Sequence, residues 1–237
     1  ICHVVRIFDN DDIIHVEGSI NPIRDREIIE TELIISDLDR ITKRIEKLQG
    51  GARSGNKDQL KELAVLEKIK AVLDEGKLAS TIELEKDELP FLDAAQLLTG
   101  KKMIYALNTD EQSIGTLSLS DAKKKAGLLE TDTAIIVSAK LEEELITLSP
   151  EEGREMLSAL GIASSGLDGL IRAAYSALGL ETYFTAGVQE VRAWTIRLGS
   201  SAPQAAGVIH TDFEKGFIRA ETIAFEDFIA CGGEQKA

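Results

Sequence analysis

The stretch Lys101–Glu111, KKMIYALNTDE, contains a short apolar run that stops at a polar loop. Residues 103–107 are apolar and Asn108–Glu111 (NTDE) follow directly, which is the pattern of a buried strand that ends in a loop. A second run of this kind, Thr133–Val137, ends at Ser138-Ala139-Lys140. Two such strands with a helical segment between them predict the last βα units of a parallel sheet. Ligands of such sheets bind beyond the carboxyl ends of the strands.

The two loops resemble the pair that surrounds the base in P-loop GTPases, where one loop carries Asn-Lys-x-Asp and the next carries Ser-Ala-Lys. Here Thr109 replaces the Lys that covers the base, and Glu111 replaces the Asp that accepts hydrogen bonds from guanine. Because a carboxylate set one methylene further out need not meet the paired N–H donors of guanine, strict guanine specificity is not expected. The structural alternative is that Asn108 only ends a strand and Ser138 only caps a helix. Together, in this order and at two strand ends, the loops favour a nucleotide site.

The composition limits the classes of protein to consider. The chain has 237 residues, of which 43% are hydrophobic, so it can bury a core in one large domain or a few small ones. Its 41 acidic and 27 basic residues give a net charge of −14, which argues against a surface that coats nucleic acid uniformly.

Cys2 and Cys231 lie far apart and fit a reduced, cytoplasmic protein. No apolar run approaches the ~18 residues of a membrane span. No signal peptide is evident. The first residue is Ile1 rather than Met, and the chain starts directly in a strand-like run, so we expect a part of a longer protein.

A long helical tract follows Asn21-Pro22, where proline fits the first turn of a helix. Apolar residues then recur at intervals of four and three, which is the seam of a coiled coil. A glycine-rich segment at 50–56 interrupts the pattern before a second tract resumes. This arrangement predicts an antiparallel helical hairpin, too thin for a core of its own, that projects from the body. The seam residues are Ile34, Leu38, Ile41, Ile45 and Leu48 in the first tract and Leu63, Leu66, Ile69 and Leu73 in the second.

The tip of this hairpin is basic, unlike the rest of the chain. Between residues 40 and 61 there are seven basic and two acidic side chains, a net charge of +5. One interpretation is the solvated face of a coiled coil. The other is a contact with the phosphate backbone of structured RNA, by shape rather than by base stacking, since the tip has no aromatic residue. The candidate contacts are Arg40, Lys43, Arg44, Lys47, Arg53, Lys57 and Lys61.

The composition changes after Gly179, where β-branched and aromatic residues become frequent. We expect a small β-rich domain with strands at 182–184 and 190–198, a turn at Ala202–Ala205, and extended segments at Ala206–His210 and Phe217–Ile218. His210 has Asp212 and Glu214 nearby, but no second His or Cys stands at ligand spacing. No metal site is therefore predicted in this chain.

The segment Tyr183–Phe228 closely resembles the TGS domain of the YchF family, the Obg-like ATPases. The likeness rests on Trp194, on the run Val208–Glu221 (VIHTDFEKGFIRAE) and on Glu226-Asp227-Phe228. The strand at Cys2–Arg6, the inserted hairpin and the Asn-x-x-Glu loop match in family order, so the resemblance covers nearly the whole chain.

The resemblance implies an α/β P-loop NTPase G domain, present in part, with an inserted antiparallel coiled-coil hairpin and a C-terminal α+β β-grasp (TGS, ubiquitin-like) domain. The G domain would comprise residues 1–20 and 83–180, the hairpin residues 21–82, and a truncated TGS domain residues 181–237. The phosphate-binding loop and the strand with the Mg²⁺-linked Asp would lie upstream of Ile1.

For function, the resemblance implies a ribosome-associated, cytoplasmic and monomeric protein that binds and hydrolyses ATP, or GTP, with Mg²⁺. Because phosphoryl transfer depends on the upstream elements, this chain has no catalytic residue of its own and is predicted to be inactive alone. The alternative is a non-catalytic module that binds RNA or the ribosome through the hairpin tip and the TGS sheet. The residues that would border the base are Asn108, Thr109 (through its backbone), Glu111, Ser138, Ala139 and Lys140.

Overall fold

The computed structural model describes residues 1–10, 19–51, 57–187, 190–234 and 236. They form two compact units, Ile1–Ala177 and Leu178–Ala237, and each is considered by itself. Within the described ranges, no helix has the length and apolar character that a membrane crossing requires.

The first unit is built around a parallel sheet of three strands, β1 (Cys2–Arg6), β2 (Ile104–Asn108) and β3 (Ala134–Val137), in the order β1-β2-β3. Arg6 pairs with Asn108, and Asn108 pairs with Val137, so all three strands end at the same edge. This confirms both predicted strands. Strand β2 begins and ends one residue later than the predicted apolar run 103–107. The loop Asn108–Glu111 therefore begins where a parallel sheet places its ligands.

The central strand β2 is buried because both of its faces are covered. On one face, Leu107 and Tyr105 pack with Val5 and with Ala122, which lies on the helix Leu119–Lys125, in a hydrophobic cluster. The helices of this unit are α1 (Pro22–Gly51), α2 (Lys57–Asp74), α3 (Leu89–Ala95), α4 (Leu119–Lys125), α5 (Ala139–Thr147), α6 (Pro150–Ala159) and α7 (Gly166–Leu178), with a short 3-10 turn at Ala79–Thr81.

Helices α1 and α2 pack together through the predicted seam. A single hydrophobic cluster contains the seam residues of both helices, and its fully buried members are Leu66 and Ile69 of α2 and Ala79 of the 3-10 turn. This core does not belong to the hairpin alone, because Phe91, Leu92 and Leu97 from the segment after α2 complete the cluster, which agrees with a hairpin too thin for a core of its own. Residues 52–56, which include Arg53, lie outside the described residues.

A buried carboxylate joins α1 to the segment that leads into β2. Asp37 is 1% exposed, and it accepts hydrogen bonds from the backbone N–H of Leu98 (2.8 Å) and of Thr99 (2.7 Å). The Thr99 hydroxyl donates a third bond to the same carboxylate, at 2.7 Å, and accepts one from the backbone N–H of Ala79. Because these donors would otherwise be buried without an acceptor, Asp37 fixes the position of α1 relative to residues 97–99.

The second unit begins with two antiparallel strands, β4 (Leu180–Ala186) and β5 (Val191–Arg197), in which Tyr183 pairs with Trp194. These confirm the β-rich start of the predicted C-terminal domain. Three helices follow: α8 (Ala202–Ile209), α9 (Thr211–Lys215) and α10 (Phe225–Cys231).

The predicted turn at Ala202–Ala205 and extended segment at Ala206–His210 are wrong, because α8 occupies both. The Gln204 side chain accepts hydrogen bonds from the backbone N–H (2.8 Å) and the hydroxyl (3.0 Å) of Ser201 just before the helix. Pro203 lies in the first turn, where its missing N–H costs nothing. This start signal outweighs the β-branched residues that follow it. Phe217 and Ile218 belong to no strand.

Candidate nucleotide site

A cleft of about 420 Å³ lies at the carboxyl ends of β1 and β2 and the start of α5. Five of the six residues predicted to border a base line this cleft, and the sixth, Ala139, is bonded to one of them. The lining residues are Phe8, Asp9, Asn10, Asn108, Thr109, Asp110, Glu111, Gln112, Ser113, Ser138 and Lys140.

Asn108 connects the two loops. Its side-chain Oδ1 accepts a hydrogen bond of 2.9 Å from the backbone N–H of Ala139, the first residue of α5. The next residue, Thr109, donates its backbone N–H to the carbonyl of Val137 at 2.8 Å, and its side chain is buried. The loop after β2 is thus held to the loop after β3 by both a side chain and the main chain.

Ser138 is the N-cap of α5. Its hydroxyl accepts a hydrogen bond from the backbone N–H of Leu141, at 3.4 Å, and the residue is buried. Ser138 is therefore a helix cap, and the same cap places the start of α5 beside the cleft. The capping role and a role at the site are compatible.

Glu111 and Lys140 form an ion pair between the two loops. The distance from Glu111 Oε2 to Lys140 Nζ is 2.8 Å, and the side chains are 32% and 70% exposed. The hydrogen bond to Glu111, together with its negative charge, raises the pKa of Lys140 above its ordinary value. Lys140 therefore carries its charge in the neutral pH range, as does a lysine in water.

The loop after β1 was not assigned to the site from the sequence, although the structure places it there. Arg6 holds this loop: its Nε donates to the carbonyl of Phe8 at 3.1 Å, and its Nη2 donates to that of Asn10 at 3.0 Å. The guanidinium also lies 4.7 Å from the centre of the Phe8 ring. The signal that could have found this loop is the parallel register of β1 with β2, which the sequence alone does not provide.

Asp110 shapes the loop after β2 and was also missed. Its carboxylate accepts hydrogen bonds from the backbone N–H groups of Gln112 (2.9 Å) and Ser113 (2.8 Å) and from the Ser113 hydroxyl (3.0 Å). Partial burial opposes the charge, but these hydrogen bonds, led by Ser113, outweigh it and lower the pKa of Asp110. An Asp that bonds to backbone two residues ahead is a recognisable turn signal.

The basic hairpin is less positive than its sequence indicates. Arg44 lies 2.5 Å from Glu62, Lys43 lies 2.6 Å from Asp39, and Lys61 pairs with Asp87. Arg40 donates to the carbonyl of Gln96 at 2.8 Å. These acids fall outside the range 40–61 over which the charge was counted, so the value of +5 overstates the local field.

Two of the candidate RNA contacts remain exposed and unpaired among the described residues. Lys47, on α1, and Lys57, at the start of α2, are both exposed, and no ion pair within the described part of the chain involves either of them. Arg53 lies in the part that the structure does not describe.

Comparison with known proteins identifies the chain. Residues 180–237 match a family described as YchF-GTPase_C, "Protein of unknown function (DUF933)". The "Ribosome-binding ATPase YchF" of Haemophilus ducreyi is 48% identical over 235 residues, which are 99% of this chain and 65% of that protein. The chain belongs to the YchF family. In the same family, the Bacillus subtilis protein of that name is 45% identical over 238 residues, 98% of this chain and 64% of that protein.

A relative from Gallus gallus and a solved structure also match nearly all of this chain. The "Obg-like ATPase 1" of Gallus gallus is 44% identical over 241 residues, 99% of this chain and 61% of that protein. A solved structure, that of the Schizosaccharomyces pombe YchF GTPase, superposes with a TM-score of 0.83 at 37% identity and covers 99% of this chain and 65% of that one. This likeness supports the α/β GTPase fold with its parallel sheet. The chain spans a little under two thirds of the length of the curated relatives.

Proposed function

We propose that this chain contains the base-binding part of the nucleotide site of a ribosome-associated, cytoplasmic ATPase of the YchF type. The observation that carries the proposal is the hydrogen bond from Ala139 to Asn108, because it joins both base-binding loops into one wall of the cleft. Relatives named as ribosome-binding ATPases support the proposal across nearly all of this chain.

We propose that phosphoryl transfer relies on residues outside the part of the chain that the structure describes. Among the described residues, no group of three or more His, Cys, Asp or Glu side chains is placed to hold a metal ion. In nucleotide sites Mg²⁺ is held mainly by the phosphates, water and one or two protein groups, and the residues that line this cleft are assigned to base binding and orientation. We infer that the 237 residues alone do not hydrolyse ATP.

The test compares the full-length gene product that carries this sequence with the 237-residue chain. ATP binding is measured by calorimetric titration and hydrolysis by phosphate release, both with Mg²⁺ present. The proposal requires that the full-length protein bind and hydrolyse ATP and that the shorter chain release no phosphate. A full-length protein that binds neither ATP nor GTP would refute the assignment of the cleft.

A second candidate function is binding to ribosomal RNA through the hairpin, alone or with the sheet of the second unit. Lys47 and Lys57 favour it, because an exposed cation that has no ion pair with the described residues loses none of those contacts when it meets a phosphate. This function is compatible with the first one, and it does not need the cleft.

The double substitution Lys47→Glu and Lys57→Glu is expected to weaken binding to ribosomes and to reduce its salt dependence. If each lysine neutralises one phosphate, the slope of log K against log salt falls by about 2. Co-sedimentation with purified ribosomes at several salt concentrations measures both quantities. The matched control is Lys101→Glu with Lys102→Glu, which makes the same charge change at two exposed lysines before β2. Equal losses in both variants would show that only net charge matters and that the tip is no binding site.

A further inference from the structure

Three lysines lie on one side of helix α2. Lys61 follows Lys57 by four residues and Lys68 follows Lys61 by seven, which are close to one and two helical turns. The side chains of Lys61 and Lys68 are 42% and 56% exposed, so both are within reach of a ligand in solution. We call these three residues the lysine stripe. A row of cations along one helix face suits the phosphate backbone of RNA.

Two carboxylates cover the inner part of the lysine stripe. Lys61 donates a hydrogen bond to Asp87, and Lys68 donates one of 2.6 Å to Glu88. The bond from Lys61 lowers the pKa of Asp87, and the bond from Lys68 lowers that of Glu88, so both carboxylates are ionised at neutral pH. Lys57, at the outer end of the stripe, forms no ion pair within the described part of the chain.

The segment that carries these carboxylates is held against the hairpin by contacts other than the ion pairs. Leu84, Phe91 and Leu92, on both sides of it in the sequence, pack against the hydrophobic cluster of α1 and α2. Within the segment, the backbone N–H of Glu85 donates to the carboxylate of Glu88 at 3.0 Å, and the Glu88 side chain is only 12% exposed. The two acids therefore stay beside the stripe even where salt screens the ion pairs.

A lysine that is already paired with a carboxylate contributes little to RNA binding. The affinity of a protein for RNA comes largely from cations that replace the counterions of the phosphates. A paired lysine must first give up its carboxylate, and the carboxylate left behind repels the incoming phosphate. Within the described residues of the lysine stripe, only Lys57 meets no such competition.

We propose that the two carboxylates compete with RNA phosphates for the inner lysines and thereby confine RNA binding to the outer end of the lysine stripe. The carboxylates are those of Asp87 and Glu88, and the inner lysines are Lys61 and Lys68. The inference rests on the proposed RNA-binding function of the hairpin and adds an autoinhibitory contact to it. It also gives a role to two ion pairs that, as exposed pairs, add little to the free energy of folding.

The experiment measures binding of the full-length gene product to fluorescein-labelled double-stranded RNA, by fluorescence anisotropy at several salt concentrations. The variant Asp87→Asn with Glu88→Gln removes both charges and keeps the size of the side chains. It is expected to bind about fivefold more tightly, with a slope of log K against log salt that is steeper by about 2, because two more lysines neutralise phosphates. Adding Lys61→Gln and Lys68→Gln to this variant is expected to remove the gain.

Asp87→Asn alone tests the inference without touching the more buried Glu88. Asp87 is 69% exposed, so its replacement by asparagine leaves the packing of the segment unchanged. This variant is expected to show about half of the change in slope. A loss of affinity in Asp87→Asn would mean that the carboxylate supports RNA binding, which is the opposite of the proposal.

The matched control is Glu83→Gln with Glu85→Gln, which makes the same change of net charge in the same segment. Both side chains are exposed, and neither forms an ion pair within the residues that the structure describes. This variant is expected to keep nearly the affinity and slope of the wild type. An equal gain in both double variants, or no gain in either while the wild type binds RNA, would overturn the inference and leave RNA binding in place. A wild-type protein that does not bind the RNA would overturn both.

Discussion

Replacing Asp37 by alanine is expected to lower the free energy of unfolding of the first unit by about 3–5 kcal/mol. The substitution leaves the N–H groups of Leu98 and Thr99 and the Thr99 hydroxyl without their acceptor. Thr99 is fully buried, so water cannot replace the carboxylate without opening the packing around it. Urea unfolding followed by circular dichroism measures the change as a shift in midpoint at constant slope.

Asp39→Ala is the matched control for this prediction. Asp39 is on the same helix, its side chain is 65% exposed, and its partner is Lys43 at i+4. Its loss is expected to cost less than about 0.5 kcal/mol. If Asp37→Ala changed stability as little as Asp39→Ala does, α1 would not be held to residues 97–99 as the structure describes.

Asn108→Ala is expected to weaken ATP binding to the full-length gene product about 30-fold, or roughly 2 kcal/mol. The side chain of Asn108 is the acceptor for the N–H of Ala139, so its removal separates the loop after β2 from the start of α5. The nucleotide must then order both loops when it binds, and that cost appears as lost affinity. Calorimetric titration with ATP measures the effect.

Asn108→Asp is the control, because it keeps an oxygen at the same position for the N–H of Ala139. It is expected to retain most of the affinity that Asn108→Ala loses. Equal losses in the two variants would mean that Asn108 does not act by joining the loops. Neither variant touches the core of the sheet, so their unfolding curves should stay close to that of the wild type.

Local patterns were sufficient to predict strands β2 and β3 and the packed faces of α1 and α2. The apolar run ending at Asn108 gave β2 and its loop, because a strand buried on both faces is apolar throughout. The spacing of Ile34, Ile41 and Ile45 gave the packed face of α1, because a helix returns to the same side every three to four residues. Each of these two signals is local, because it depends on residues that are close to one another in the sequence.

Features that depend on distant pairs could not be predicted from the sequence. Asp37 meets Thr99 across 62 residues, and although its spacing from Ile34 and Ile41 puts it on the packed face of α1, its own helix does not indicate the partner. The charge of the hairpin tip was overestimated because Arg44 and Lys61 find their acids at Glu62 and Asp87, outside the range counted. Of the residues predicted to border a base, the structure brings those of both loops to one cleft, and their contact with a nucleotide stays a prediction.

The most direct test of the account is to map where ATP binds. In the ¹⁵N-labelled full-length gene product, addition of ATP is expected to shift the amide signals of Thr109, Ala139 and Lys140, which line or join the cleft. Amides of the second unit, such as that of Trp194, serve as an internal reference. Shifts confined to residues outside both loops, with those of Thr109 and Ala139 unchanged at saturating ATP, would contradict the account.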